Sequence, residues 1–242
     1  MNPPPSRPSE SSHAFPETRW SLVLGASDPR GRAALGELCL RYWFPVYAYV
    51  RRCGHDPASA QDLTAAFFQH LSTRDLRQRA EQAPRFRDYL RGALVAFLAH
   101  SSRAARQSAA LPAGVPDLET LEQRLHADGT VRSAEATFET SFAGEIIGLA
   151  LARLHAEAAQ AGRLDLFDLL QPHLASDPQA GEYEPLAERA GLRPMTLAMA
   201  LKRLRSRFRE LVDEELAQTV GDPAALAAER AALLAVLGGG EA

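Results

Sequence analysis

No stretch of this sequence alternates apolar and polar residues, as a strand with one buried face would. The chain is instead rich in alanine, leucine and arginine, which favour helices, and its two isoleucines are the neighbours Ile146 and Ile147. Aspartate caps helix N-termini and proline is tolerated in the first helical turn, so an Asp-Pro pair predicts a helix start. Three such pairs occur: Asp28-Pro29, Asp56-Pro57 and Asp222-Pro223. We therefore expect an all-α fold.

The spacing of apolar residues and the positions of proline and glycine predict where the helices lie. The predicted ranges are 17–24, 29–53, 57–71, 85–106, 141–160, 164–174, 184–190, 194–220 and 223–237. No apolar run approaches the ~20 residues that cross a membrane. Residues 1–16 contain five prolines and lack the apolar segment of a secretion signal. We expect a disordered leader there and a cytoplasmic protein.

Charge is distributed unevenly along the chain. The net charge is −3, but binding of a polyanion depends on the local potential. Residues 193–209 contain six basic and no acidic residues, and residues 74–106 contain eight arginines against three acidic residues. Residues 115–139 are acidic, and prolines and glycines interrupt the region around them. We predict a leader (1–16), a first helical domain (17–110), an acidic linker (111–137), a second helical domain (138–220) and a C-terminal helical extension (221–242).

The second domain contains a predicted helix-turn-helix. A short helix leads to Gly191-Leu192, and a longer helix begins with Pro194. Apolar residues of the longer helix, from Leu197 to Leu211, lie within about 40° of one line at 100° per residue. Its opposite side is basic and suits a DNA major groove, although an ordinary solvated basic face is the alternative. The predicted DNA-contacting residues are Thr196, Ala198, Met199, Lys202, Arg203, Ser206 and Arg209.

Several motifs in this half resemble a known family. They are Leu186-Ala187, Gly191-Leu192, the segment Leu201 to Leu211, and the ending Glu214 to Val220, which reads EELAQTV. Together they resemble region 4 of bacterial extracytoplasmic-function sigma factors, in the subgroup that ends in EEIAQTV. The resemblance implies that the longer helix reads the −35 promoter element and that the domain touches the β flap of RNA polymerase.

The first half resembles region 2 of the same family in motif order. The matching segments are Thr18 to Leu24, Leu38 to Arg52, Asp62-Leu63-Thr64 with Phe67-Phe68, and Arg85 to Leu90. The resemblance implies that the third segment docks on the polymerase β′ clamp, through Asp62, Leu63, Phe67, Phe68 and Gln69. Phe68 lies about 140° from Leu63, where an isolated helix faces water. It is therefore either a partner anchor or covered by another helix of the bundle.

The chain departs from the family pattern at two places. Ala65 stands where family members usually have glutamine, and residues 99–110 lack the family's tryptophan and its Lys-Arg-Gly-Gly-Gly segment. In the family this region opens and holds the −10 strand, using basic side chains for the backbone and aromatic ones for base stacking. Arg103 and Arg106 are the remaining candidates for −10 contacts.

The resulting prediction is a sigma factor that binds core RNA polymerase and promoter DNA, with an anti-sigma factor as a further candidate partner. The alternative is a sigma-like regulator that binds DNA or polymerase but does not melt promoters. An enzyme is not expected, because the histidines are scattered and no phosphate-binding loop, dinucleotide turn or nucleophile elbow occurs. No cofactor or metal site is predicted, and Cys39 and Cys53 are expected to be buried thiols.

Overall fold

The structure, a computed structural model, describes residues 17–25, 29–73, 84–100, 111–127, 132–179 and 181–238. These residues form eleven α-helices and one 3-10 turn at Gln171–His173, with no strand beyond a single bridge between Arg85 and Val220. The all-α prediction is confirmed. The helices are α1 (Arg19–Gly25), α2 (Pro29–Arg41), α3 (Trp43–Arg52), α4 (Pro57–Thr73), α5 (Phe86–His100), α6 (Leu118–Ala127), α7 (Ala134–Gln160), α8 (Leu164–Leu170), α9 (Tyr183–Ala190), α10 (Pro194–Ala217) and α11 (Pro223–Gly238).

Asp-Pro pairs begin helices as predicted. Helix α4 starts at Pro57, and the Asp56 carboxylate accepts a hydrogen bond from the backbone N–H of Ser59 at 3.0 Å. Helix α11 starts at Pro223, and Asp222 accepts from the N–H of Ala225 at 2.8 Å. These side chains satisfy N–H groups that have no partner within the helix. Pro29 begins α2, while Asp28 lies outside the described residues.

The helices depart most from the prediction at three places. The range 29–53 is two helices that break at Tyr42, and α6 lies within the region expected to be a linker. Helix α7 begins at Ala134 rather than at residue 141, because Ser133 caps it by accepting from the N–H of Ala136 at 3.1 Å. Helix α5 is described to His100, and the rest of the predicted 85–106 helix lies outside the described residues.

The largest buried cluster is built on aromatic side chains. Its fully buried members include Trp20, Tyr42, Trp43, Phe86 and Phe138. Leucines from the last two helices, Leu216 and Leu233, belong to the same cluster. The core therefore crosses the predicted boundary at residues 111–137, and the division into two domains stays a prediction. A smaller apolar cluster joins α8, α9 and α10, and another joins α7, α8 and α10.

The end of α10 is joined to the first half of the chain by backbone hydrogen bonds. The N–H of Trp20 donates to the carbonyl of Gln218 at 3.1 Å, and the N–H of Phe86 donates to Thr219 at 2.8 Å. Because each of these backbone groups has a partner, burying it does not carry the cost of an unsatisfied polar group. The AQTV ending is thus a junction of three segments.

The two cysteines lie in different environments. Cys39 is buried as expected, but Cys53 is exposed, because it follows the end of α3 at a turn into Gly54. The burial prediction for Cys53 is therefore wrong.

None of the helices in the described part of the chain is long and apolar enough to cross a bilayer. The predicted leader, residues 1–16, lies outside that part.

Candidate nucleic-acid interface

Helices α9 and α10 form the short-helix, turn and long-helix arrangement that the sequence predicts. Gly191 ends α9 in the left-handed conformation with φ of 62°. The next N–H, of Leu192, donates back to the carbonyl of Ala187 at 2.9 Å, which closes the turn. Ala187 is itself buried, so its small side chain lets the two helices cross closely. The start of α10 lacks a side-chain cap, since Arg193 occupies that position.

The apolar side of α10 is buried against the rest of the protein. Leu197 and Leu201 pack in one cluster with Leu170 and Leu186, from α8 and α9. Further along, Leu211 packs in a second cluster with residues of α7 and α8. This packing fixes the rotation of α10 about its axis, and therefore fixes which residues point outward.

The opposite side of α10 is open to solvent and positively charged. Lys202, Arg203 and Arg209 are exposed, and none of them forms an ion pair with a described residue. Of the other predicted DNA-contacting residues, Thr196, Met199 and Ser206 are exposed and Ala198 is half-buried. Met195, which the sequence analysis did not select, is the most exposed large apolar residue described. Its spacing of four from Met199 could have identified it.

Two other arginines of the same helix are paired with groups of the same chain. Arg205 donates through Nη2 to the carbonyls of His173 and Ser176, both at 2.6 Å, and pairs with Asp177 at 2.5 Å. Arg207 forms a two-pronged contact with Glu157 at 2.7 and 2.9 Å, and the hydrogen bonds from this guanidinium lower the pKa of Glu157. Among the described residues, the structure therefore divides the basic segment into exposed cations without an ion-pair partner and arginines paired within the chain.

Helix α4, which carries the predicted polymerase-binding residues, presents them differently. Leu63, Phe67 and Phe68 are all buried. Phe68 is 5% exposed, and its ring stacks on Trp43 with centroids 5.1 Å apart. Of the two alternatives for Phe68, the structure shows the second, because Trp43 of α3 covers the second apolar face of α4. Asp62 is half-buried and Gln69 is exposed.

A groove lies between α2 and α4, with a cavity of about 420 Å³. Its floor contains Phe68 and Trp43, and Gln69 lies at its edge. Leu40 of α2 borders it and is 39% exposed. Apolar grooves of this kind between helices accept an apolar ridge of a partner helix. The remaining lining residues are Arg32, Leu35, Gly36, Cys39, Ala65, Ser72 and Pro112.

Part of the predicted acidic linker is helix α6, which packs against the rest of the protein. Leu121 and Leu125 are buried, and Glu122 bonds to Arg51 and Tyr47 of α3. The predicted −10 contacts Arg103 and Arg106 lie outside the described residues. Within the described ranges, no cluster of three or more histidine, cysteine, aspartate or glutamate side chains could hold a metal ion.

Comparison of the chain with models of protein families found no match. Comparisons with curated proteins and with solved structures likewise found none.

Proposed function

We propose that this protein is a sigma factor that binds core RNA polymerase in the cytoplasm and directs promoter-specific initiation. In this proposal α10 reads the −35 element, the region following α5 contacts the −10 element, and the protein itself performs no covalent chemistry. The observation that carries the proposal is the outward face of α10. Its Lys202, Arg203 and Arg209 have no ion-pair partner among the described residues, on the second helix of a helix-turn-helix.

The electrostatics of α10 support a polyanion partner. Arg205 and Arg207 of this helix are paired with carboxylates of the same chain. Lys202, Arg203 and Arg209 have no such partner among the described residues and are exposed, so they can meet phosphates or guanine edges. Such contacts release counterions, so binding should weaken steeply as salt rises.

The groove between α2 and α4 supports the polymerase part of the proposal. Two helices form its walls, and its lining includes the partly exposed Leu40 and the polar Gln69. A helix of the polymerase β′ clamp could insert an apolar ridge there, with the exposed Gln69 beside it. In this arrangement Phe68 shapes the floor of the groove and supports the site from within.

Run-off transcription with core polymerase on genomic fragments tests the proposal. The full-length protein should select defined start sites, and a Lys202→Ala/Arg209→Ala variant should lose them while keeping its stability. Arg30→Ala/Arg230→Ala is the matched control, because it removes two exposed arginines elsewhere. Absence of any specific transcript with the wild-type protein would refute the sigma-factor proposal.

The second candidate function is a regulator without melting activity. It is favoured by the sequence of residues 99–110, which contains no phenylalanine, tyrosine or tryptophan for stacking on unpaired bases. Two results together would support this function over that of a sigma factor. The protein would shift a defined promoter fragment in a gel without core polymerase, and no transcript would form when core polymerase is added.

A further inference from the structure

The two internal methionines of the chain lie together on the exposed side of α10. The sequence contains three methionines, one of which is Met1. Met195 is 76% exposed and Met199 is 44% exposed. Two large apolar side chains exposed one helical turn apart form a small apolar patch, which suits a contact with something outside the chain.

The helix geometry aligns this pair with the cationic residues. At 100° per residue, Met195, Met199, Lys202, Ser206 and Arg209 fall within about 40° of one line, opposite the buried leucines. The methionines occupy its N-terminal end and the cations follow. Side chains of a helix lean toward its N-terminus, so the methionine tips project near the beginning of α10.

In a helix-turn-helix bound to DNA, the N-terminal residues of the second helix contact base edges, and later residues reach the backbone. An unbranched thioether makes poor hydrogen bonds but good apolar contacts. The apolar group exposed on base edges in the major groove of ordinary DNA is the C5-methyl of thymine.

Charge argues against an apolar protein surface as the partner of this pair. Residues 193–209 contain no acidic residue, and Lys202 and Arg209 lie on the same line as the methionines. An apolar partner would strip water from these cations without replacing it. A DNA duplex instead provides thymine methyl groups inside the major groove, which suit the methionines, and phosphates along the groove edges, which suit Lys202 and Arg209.

We propose that Met195 and Met199 read thymine by contacting its C5-methyl group at one or two positions of the DNA site. This inference rests on the proposed DNA-binding function. It adds a source of sequence selectivity that is independent of the basic residues. A C5-methyl could also come from 5-methylcytosine, so the experiment uses unmethylated DNA, in which thymine is the sole source.

The test begins with selection of a preferred duplex from a random pool, using the full-length protein bound to core polymerase. Each thymine of that duplex is then replaced singly by deoxyuridine, which lacks the methyl group. Fluorescence anisotropy measures the dissociation constant of each duplex for the wild-type protein and for Met195→Ala/Met199→Ala. Leu234→Ala is the control, since Leu234 is 62% exposed on α11, away from this face. Thermal melting verifies that all three proteins are folded.

At one or two positions, deoxyuridine should weaken wild-type binding by about fourfold, the effect of losing one buried methyl group. The double methionine variant should show no change at those positions, and Leu234→Ala should behave as the wild type. The inference is overturned if the wild type ignores every replacement, or if the methionine variant loses the same factor. If no duplex is enriched at all, the proposed DNA binding fails, and the methyl contact fails with it.

Discussion

Helices α4 and α10 carry the two sets of side chains proposed to meet other molecules, and the fold treats them in opposite ways. The aromatic pair Phe67-Phe68 of α4 is buried in the core, whereas Lys202, Arg203 and Arg209 of α10 remain in solvent. Covering an aromatic ring with another helix of the same chain is favourable, so a second apolar face does not by itself indicate a partner. Covering a charge is costly unless it is paired. An unpaired cationic face is therefore the stronger sign of an external partner.

The largest expected effect tests the α4 side of this comparison. Phe68→Ala should lower the free energy of unfolding by about 4 kcal/mol, because it removes a stacked ring from a packed core. Urea denaturation followed by circular dichroism measures this change. Gln69→Ala, at the exposed neighbouring position, should change stability by less than about 0.5 kcal/mol. If Phe68→Ala denatures at the same urea concentration as the wild type, Phe68 is not a core residue.

Arg87 is a buried arginine, and its guanidinium is paired with carboxylates of the same chain. Arg87 donates through Nη2 to Glu229 of α11 at 3.0 Å, and it also contacts Glu139 of α7. Glu229 is 2% exposed, and burial raises its pKa while Arg87 opposes that rise. Two carboxylates from distant parts of the chain thus hold one arginine.

Glu229→Ala should therefore lower the free energy of unfolding by about 3 kcal/mol, since it leaves Arg87 buried with part of its charge uncompensated. The adjacent variant Arg230→Ala removes an exposed pair with Asp213 and should cost less than about 1 kcal/mol. Urea denaturation of both proteins makes the measurement. Equal losses for the two variants would show that Arg87 does not depend on Glu229.

Local sequence signals were sufficient where the structure is decided within a few residues. Asp56, Asp222 and Gly191 act at the helix ends where the sequence placed them. Helix α6 also had such signals, namely Asp117 as a cap, with its carboxylate 2.7 Å from the N–H of Thr120, and leucines at 118, 121 and 125. The neighbouring prolines and glycines and the acidic composition led to the prediction of a linker instead.

Contacts between distant segments could not be predicted in this way. Whether Trp43 covers Phe68, or whether Arg205 faces His173 rather than DNA, depends on how helices far apart in sequence pack together. The periodicity of α10 identified its outward line, but it could not say which flanking arginines would find carboxylates. Charge counts along a chain therefore overestimate the basic surface that is free to bind DNA.

The pair Arg203 and Arg205 tests the comparison within a single helix. Arg203→Ala should weaken DNA binding by about 2 kcal/mol if its side chain contacts a base, and it should leave stability unchanged. Arg205→Ala should instead lower stability by about 2 kcal/mol, because carbonyls of His173 and Ser176 lose charged donors. Anisotropy and urea denaturation on both variants separate the two effects. Equal losses of affinity in folded proteins would contradict the assignment of Arg205 to the fold.

The smallest expected effect concerns Glu122 of α6, an acidic residue that is neither buried like Glu229 nor free like the cations of α10. Its carboxylate accepts from Arg51 at 2.7 and 2.8 Å and from the Tyr47 hydroxyl at 2.5 Å. The hydrogen bonds from Arg51 lower the pKa of Glu122 from 4.5 to about 2.

Because the folded state binds this proton less tightly than the unfolded state, the Glu122 contribution is complete above about pH 5 and is lost as the pH falls from 4.5 toward 2. Glu122→Gln should be about 1 kcal/mol less stable than the wild type at pH 7, and the difference should shrink between pH 5 and pH 3. The control is Glu119, whose carboxylate accepts from Gln123 and not from an arginine. The Glu119→Gln variant should keep the wild-type dependence of stability on pH. Urea denaturation across this pH range makes the measurement. A constant gap between Glu122→Gln and the wild type would mean that the acidic helix is held to α3 by Leu121 and Leu125 alone, without a contribution from its charge.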